Sequence, residues 1–331
     1  MVNKHYITAA TLCDGAAKLR AGGLVAFPTE TVYGLGADAC NTAAVHRLFA
    51  AKGRPSFNPL IAHLATAEGV FEIAQETPSS RLLAQHFWPG PLTIVLAQQA
   101  HSQISTVATA GLDSCAFRVP ANSDAKALLT AFNGPVVAPS ANPSGQVSPT
   151  TAGHVADGLG NKIDLILDGG RCQIGLESTV IDARGAVPRI LRPGAITASM
   201  LAAVLGCDTG EITSAKSDDA VTAPGMLASH YAPHHPVRLN AAQPRPGEAF
   251  LGFGELPTQD GLCLTLSASS DLLEAAANLF AMLRDLDRMA IDGIAVAPIA
   301  DDGIGAAIND RLRRAAAPRN DPAAAACRDR V

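Results

Sequence analysis

Aromatic residues make up only 4% of this 331-residue chain, too few for a platform of stacked bases such as single-strand binders use. A basic stripe is missing as well. Residues 1–205 carry 14 Lys/Arg against 13 Asp/Glu, and residues 206–331 carry 11 against 17. Any RNA contact is therefore expected to be local or transient. The seven cysteines, at 13, 40, 115, 172, 207, 263 and 327, are scattered, odd in number and without a CxxC pair. That pattern suits reduced thiols in a cytosol better than a disulfide frame or a zinc site. No apolar run is long enough to span a bilayer, and MVNKHYITAA lacks the apolar core of a signal peptide, so a cytoplasmic location is expected and no membrane partner. There is no GxxxxGK[ST], no GxSxG and no HExxH. Gly34 to Ala39 does fit GxGxxA, but Pro28 interrupts the strand before it and no acidic residue follows about 20 positions on, so a dinucleotide site is rejected. His230, His234 and His235 cluster without a neighbouring carboxylate, and Pro233 breaks the helix that would align them, so no metal site is assigned.

What is present is a chain 48% apolar and 17% charged, a composition of folded domains and long enough for two of them. Its organising stretch is Gly22 to Gly36, GGLVAFPTETVYGLG. Leu24 to Phe27 reads as a buried strand ended by Pro28. Thr29, Glu30, Thr31 and Tyr33 then crowd polar groups at the strand end, where α/β folds place ligands. Asn41 caps a helix that ends at Gly53, so Lys52 and Arg54 flank its exit. They either complement the helix dipole or aim at phosphates. Strands follow at Leu60–Leu64, with His63 near its end, at Leu92–Leu96 and at Ala116–Pro120. Arg118 lies inside that last apolar run, so it must meet an anionic ligand or an internal carboxylate. Val136-Val137 leads into a loop dense in hydroxyls and glycine, Ser140 to Ser148, where Ser148-Pro149 reads as a helix N-cap. Such a loop either holds phosphate or is a surface turn. Leu176–Asp182 reads as a strand with Ser178 and Thr179 central, Ile190–Gly194 as one ending in Arg192, and Thr197–Leu205 as a closing helix.

The irregular mixture of strands and helices predicts an α/β fold with a twisted, partly antiparallel sheet over residues 1–206. Residues 207–236 read as a linker. Residues 237–316 repeat strand and helix patterns and predict a smaller, doubly wound, Rossmann-like α/β domain, and the alanine-rich residues 317–331 read as a loose tail.

Taken in order, PTETVYGLG, KGRPSFNPL, WPGPLT, FRVP, PSAN…SPT, ESTVID and ILRPG resemble the L-threonylcarbamoyladenylate synthase family. The linker's PGM…HYAP and the later GIGAAINDRLRRAA resemble the two-domain form of that enzyme, with a YrdC-like catalytic domain first; Ala223 stands where the family commonly has Ser. The resemblance implies a nucleotidyltransferase that condenses L-threonine, bicarbonate and ATP into threonylcarbamoyl-AMP and pyrophosphate. The product would pass to a tRNA threonylcarbamoyl transferase complex for adenosine 37 of ANN-decoding tRNAs, with any tRNA contact by this chain weak. It implies Mg²⁺ carried with ATP and few protein ligands to it. Carried over residue by residue, Lys52 and Arg54 would be catalytic cations on the triphosphate. Asn58, Ser114, Ser140, Asn142, Ser148, Arg192 and Tyr231 would complete the ATP site. Thr31, His63, Arg118, the Ala138 backbone and Ser178 would hold threonine, and Tyr231 with His230 would make the linker a lid. Two other readings are an RNA-binding module of the same fold without synthase activity and a carbamoyltransferase of the hydrogenase-maturation type. Intact KxR and SxN elements argue against the first, and missing CxxC pairs against the second.

Overall fold

The computed structural model describes residues 4–207, 213–214, 230–256 and 261–318. The first half alternates short strands and helices: β1 (Lys4–Tyr6), α1 (Ala9–Arg20), β2 (Val25–Phe27), β3 (Gly34–Asp38), α2 (Thr42–Lys52), β4 (Ile61–His63), α3 (Ala67–Ile73) and α4 (Pro78–Phe87). There follow β5 (Leu92–Ala97), β6 (Ser114–Arg118), α5 (Ser123–Phe132), β7 (Val136–Val137), α6 (Ala152–Leu159), β8 (Leu165–Asp168), β9 (Thr179–Asp182), β10 (Arg189–Arg192) and α7 (Ala198–Leu205). A short β11 (Thr213–Ser214) precedes the second unit of β12 (Val237–Arg238), β13 (Glu248–Gly252), β14 (Cys263–Thr265), α8 (Leu272–Asp287), β15 (Gly293–Val296) and α9 (Gly305–Ala316).

Among the described residues, eleven strands form one mixed sheet in the order β1-β8-β2-β3-β7-β4-β6-β5-β9-β10-β11, and four form a separate parallel sheet, β12-β15-β13-β14. The expected mixed sheet is present and the second unit is a small parallel α/β sheet, but the doubly wound expectation is corrected. α8 and α9 share one core with Ala249, Leu251, Ile294 and Val296, whereas Phe250 and Ala295 on the other face pack against Ala241, so among the described residues the helices cover one face only. Within the polar stretch after residue 206, expected to be linker, Thr213–Ser214 pairs with Arg189–Ile190 and extends the large sheet.

Local chemistry explains the element ends. The Asn41 side chain accepts from the Ala44 N–H at the start of α2, and Gly53, with φ +60°, ends it in the left-handed conformation that glycine adopts at least cost. Gly34 and Gly36 pair antiparallel with Phe27 and Val25, and they are small for a packing reason. A Cβ on Gly36 would stand 3.0 Å from the Phe27 ring and 3.1 Å from Val136.

Two further expectations are corrected. Ser148 does not cap a helix. The following helix starts at Ala152 with Thr151 accepting from the His154 N–H, and the buried Ser148 hydroxyl instead donates to Glu177. The strand expected from Leu176 begins only at Thr179, so Ser178 and Thr179 are not central in it. Gly175, with φ +75°, turns the chain beforehand, and Glu177 and Ser178 are drawn into side-chain bonds with Ser148 and Thr93.

An apolar cluster joins the two sheets' territories. Val32, Val147 and Leu176 from the first unit pack with Leu279, Phe280 and Leu283 of α8, Ile308 and Leu312 of α9, and Tyr231. The second unit is thus seated directly behind the loops that carry Thr31, Ser148 and Ser178.

Candidate active site

A partly open cavity lies where the central strands of the large sheet end, lined by Thr31, Arg54, His63, Arg118, Ala138, Ser140, Glu177, Ser178, Arg192, His230 and Tyr231, among others. The topology brings these together. β4 and β6 run parallel with His63 opposite Arg118, so both side chains leave their strands at the same end. β5 runs antiparallel to β6 and parallel to β9, so the start of β9, with Ser178 just before it, reaches the same end of the sheet. Arg192, at the end of the antiparallel β10, returns to it.

One side of the cavity is built on Arg118. Its Nη2 donates to Glu30 Oε1 at 2.6 Å, Nη1 to Thr31 Oγ1 at 2.8 Å and Nε to the Gly90 carbonyl at 3.2 Å. The internal carboxylate left open by the sequence is therefore Glu30. A guanidinium has five N–H donors, so one on each terminal nitrogen is left to fork a carboxylate. Burial works against the Glu30 charge, but the charge and hydrogen bond of Arg118 outweigh it and hold its pKa below the usual range. His63 is buried against the edge of Phe27, its Nδ1 3.2 Å from the Ile61 carbonyl. Burial and the nearby Arg118 charge push its pKa down to about 3, so the ring is neutral at neutral pH. Ser178 Oγ lies 2.7 Å from Thr93 Oγ1 and accepts from Arg192 Nη2 at 3.1 Å.

The other side is a cluster of cations held largely by backbone oxygens. Lys52 Nζ donates to the carbonyls of Ser140 and Asn142, which ties the end of α2 to the hydroxyl-rich loop. Arg54 donates to the carbonyls of Asn58 and Pro59 at 3.1 and 3.0 Å, and Arg192 to that of Ser178 at 3.1 Å. Burial, reinforced by Arg54, pushes the Lys52 pKa well down, and burial brings Arg54 to about 10. An arriving anion would reverse both effects. His230 lines the cavity with its ring centroid 4.1 Å from that of Tyr231; burial, then Arg54, Lys52, Arg192 and Arg311, keep it neutral.

Among the described residues, the buried side-chain polar atoms without a hydrogen-bond partner are Asn58 Nδ2 and Oδ1, Asn142 Oδ1, His230 Nδ1 and Arg311 Nη2. Buried polar atoms are nearly always paired. All of these belong to residues in or immediately behind this cavity. That concentration marks it as a polar-ligand site.

Ser114 is the predicted site residue that stands apart. It lies at the opposite end of β6 from Arg118, and its hydroxyl accepts from Arg184 Nη1 at 3.1 Å. Four residues of extended strand, about 13 Å, separate them. Two residues escaped the sequence reading. Glu177, within the ESTVID motif, lines the cavity and accepts from Ser148 and, at 2.8 Å, from Arg311 Nε. Arg311 sits on the apolar face of α9 with Ile308, Leu312 and Ala315, and a cation on such a face signals a buried partner. No described residues group three His, Cys, Asp or Glu as a metal site would require. The carboxylates nearest the cavity, Glu30 and Glu177, are committed to Arg118 and Arg311. This donor set does not fit a protein-held magnesium ion. The PGM motif with Ala223 lies outside the described residues.

The sequence and the overall fold both match known proteins. A family model for Sua5, YciO and YrdC, described as telomere recombination, matches residues 17–194, and one described as threonylcarbamoyl-AMP synthase, C-terminal domain, matches residues 196–317. The threonylcarbamoyl-AMP synthase of Pyrococcus abyssi is 42% identical over 91% of this chain and 92% of its own length. That of Bacillus subtilis is 38% identical over 93% of each. The crystal structure of P. abyssi Sua5 complexed with L-threonine superposes with a TM-score of 0.87 at 39% identity, covering 96% of this chain and 97% of that one. The chain therefore belongs to the threonylcarbamoyl-AMP synthase family.

Proposed function

We propose that the cavity makes threonylcarbamoyl-AMP from L-threonine, bicarbonate and ATP, releasing pyrophosphate. The observation that carries this reading is the juxtaposition of a polar end around Arg118 with a carbonyl-held cation cluster around Lys52 and Arg54. In the reaction the threonine amine adds to bicarbonate with loss of water, giving a carbamate. A carbamate oxygen then bonds to the α-phosphorus, and the bond from that phosphorus to the pyrophosphate oxygen breaks. Both partners are anions, so the protein's task is to hold them in line and offset their repulsion.

The two remaining Arg118 N–H groups suit the threonine carboxylate, and Thr31, Ser178 and the neutral His63 suit its ammonium and hydroxyl. Lys52, Arg54 and Arg192 would neutralise the triphosphate, with Asn58, Ser140, Asn142 and Ser148 shaping the wall behind it. Ser114 takes no part in this reading. Tyr231 and His230 cover the cavity, and the Ala232 N–H donates to the Gly145 carbonyl at 2.8 Å, so residues 230–232 act as a strap that keeps water from the labile product. Magnesium would arrive as the ATP complex, a substrate, and no step here is routed through it. The product is the activated donor for adenosine 37 of ANN-decoding tRNAs and would pass to a separate transferase. The reduced-thiol composition supports a cytosolic setting.

Pyrophosphate release from Mg-ATP, with threonine and bicarbonate each withheld in turn, tests this. Release that needs both supports the reading; ATP binding without release sinks it in favour of a binding protein. Valine is nearly isosteric, but it would leave the buried hydroxyl partners unpaired, so its turnover should be lower by on the order of 10⁴-fold.

A further inference from the structure

The cation on the apolar face of α9 has consequences for the site in the other unit. Arg311 is fully buried. Its Nε donates to Glu177 Oε2 at 2.8 Å and its Nη1 to Asp310 Oδ2 at 2.6 Å, while its guanidinium lies 5.3 Å from the Tyr231 ring centroid. The other Glu177 oxygen accepts from the Ser148 hydroxyl. Arg311 thus touches the two cavity-lining groups, Glu177 and Tyr231, that adjoin the cation cluster. Burial opposes its charge, but Tyr231 and Glu177 prevail and hold its proton more firmly than usual.

Other residues of the same unit grip the same elements. Arg284 of α8 donates to the carbonyls of Val147 and Ser148. The Arg314 carbonyl accepts from the His230 N–H at 3.3 Å, and Phe280 stacks on Tyr231 with centroids 5.6 Å apart. Tyr231 itself has φ +61°, a conformation that a non-glycine residue keeps only when its surroundings impose it. By contrast, the partners of Arg118, namely Glu30, Thr31 and Gly90, all lie within the first unit.

We propose that Arg311 is a positioning residue for the nucleotide half of the site, through which the second domain orients Glu177, Ser148 and Tyr231 while leaving the threonine half to the first domain. The fork geometry matters as much as the charge. A lysine would offer a point charge with neither the two-pronged grip on Glu177 and Asp310 nor the flat face against Tyr231. This inference rests on the ATP reading of the cavity, and the test separates the two.

The experiment compares the wild type with Arg311→Lys and Arg311→Met as full-length proteins. Pyrophosphate release is measured with ATP varied at saturating threonine and bicarbonate, and with threonine varied at saturating ATP; ATP affinity is measured separately by calorimetry. Both variants should raise the KM and Kd for ATP at least tenfold and leave the threonine KM within twofold. An unchanged ATP KM would make Arg311 a mere staple between domains. A parallel rise of both KM values would mean general loosening and equally overturn the proposal. Arg311→Met strands the buried Glu177 carboxylate and can fail to fold; Arg311→Lys keeps the charge and then decides alone. Combining Arg311→Met with Glu177→Gln should give an ATP defect no worse than the larger single one, because both act on one unit; additive defects would refute action through Glu177. If the wild type binds ATP but releases no pyrophosphate, the assigned reaction fails, and the calorimetric comparison still judges Arg311.

Discussion

His63 should make the protein lose stability between pH 7 and pH 5, and the size of that loss can be worked from its surroundings. The ring is 3% exposed and stands beside Arg118, which together bring its pKa to about 3 from an unfolded value of 6.5. Below pH 6.5 the unfolded chain binds a proton here that the folded chain refuses, so the unfolded state carries more protons and stability rises with pH. The contribution is fully present above pH 6.5 and is lost progressively as pH falls toward 3. At about 1.4 kcal/mol per pH unit, the loss by pH 5 amounts to about 2 kcal/mol. His154 and His230, also lowered, add losses of the same sign, so a difference measurement is needed. His63→Asn keeps a donor near the Ile61 carbonyl but cannot take up the proton. Urea unfolding of both proteins at pH 7 and pH 5 should show the wild type losing about 2 kcal/mol more than the variant. Parallel losses would refute the reasoning, since they would mean that the imidazole is protonated in the folded state or that Arg118 does not press upon it.

Lys52→Met should reduce kcat/KM at least 100-fold, through loss of a cation on the triphosphate, and cost about 1–3 kcal/mol by leaving the Ser140 and Asn142 carbonyls without their donor; a variant within threefold of wild type in the pyrophosphate assay would show the phosphates lie elsewhere. Gly175→Ala should destabilise by about 1–3 kcal/mol, because its Cβ would sit 2.7 Å from the Ala276 carbonyl and Ala277 backbone of α8 and φ is +75°. An unchanged melting temperature would show that α8 can yield. Glu30→Gln should raise the threonine KM severalfold without changing that for ATP, since it loosens Arg118 and leaves the Lys52 and Arg54 contacts as they are; kinetics with either substrate varied checks it.

Much of the fold was legible because its signals are local. Asn41 and Gly53 bracket α2 through one side-chain cap and one left-handed backbone position, both of which follow from residue type. The apolar face of α8 reads directly from its spacing. The site was legible as ordered motifs, but not as contacts. Nothing near Arg118 in sequence says that its carboxylate partner lies 88 residues earlier at Glu30, and Arg311 is 134 residues from Glu177. Ser148 misled for the same reason. A serine before proline has the local chemistry of a cap, yet a distant carboxylate claims its hydroxyl and Thr151 serves instead. Ser114 shares a strand with Arg118, but it is at the other end of that strand.

The way the cations are held has one more consequence. Arg118 is tied to a carboxylate, so that half of the cavity presents almost no net charge. Lys52 and Arg54 are tied to neutral carbonyls, and among the described lining residues Glu177 alone opposes them and Arg192. The two substrates should therefore feel ionic strength differently. Raising salt from 20 to 300 mM shortens the reach of the cation field and should slow ATP association severalfold, while threonine association scarcely changes. Stopped-flow traces for each ligand would show the asymmetry directly, and equal salt dependence would mean that the carbonyls leave the cations less exposed to an approaching anion than their contacts imply.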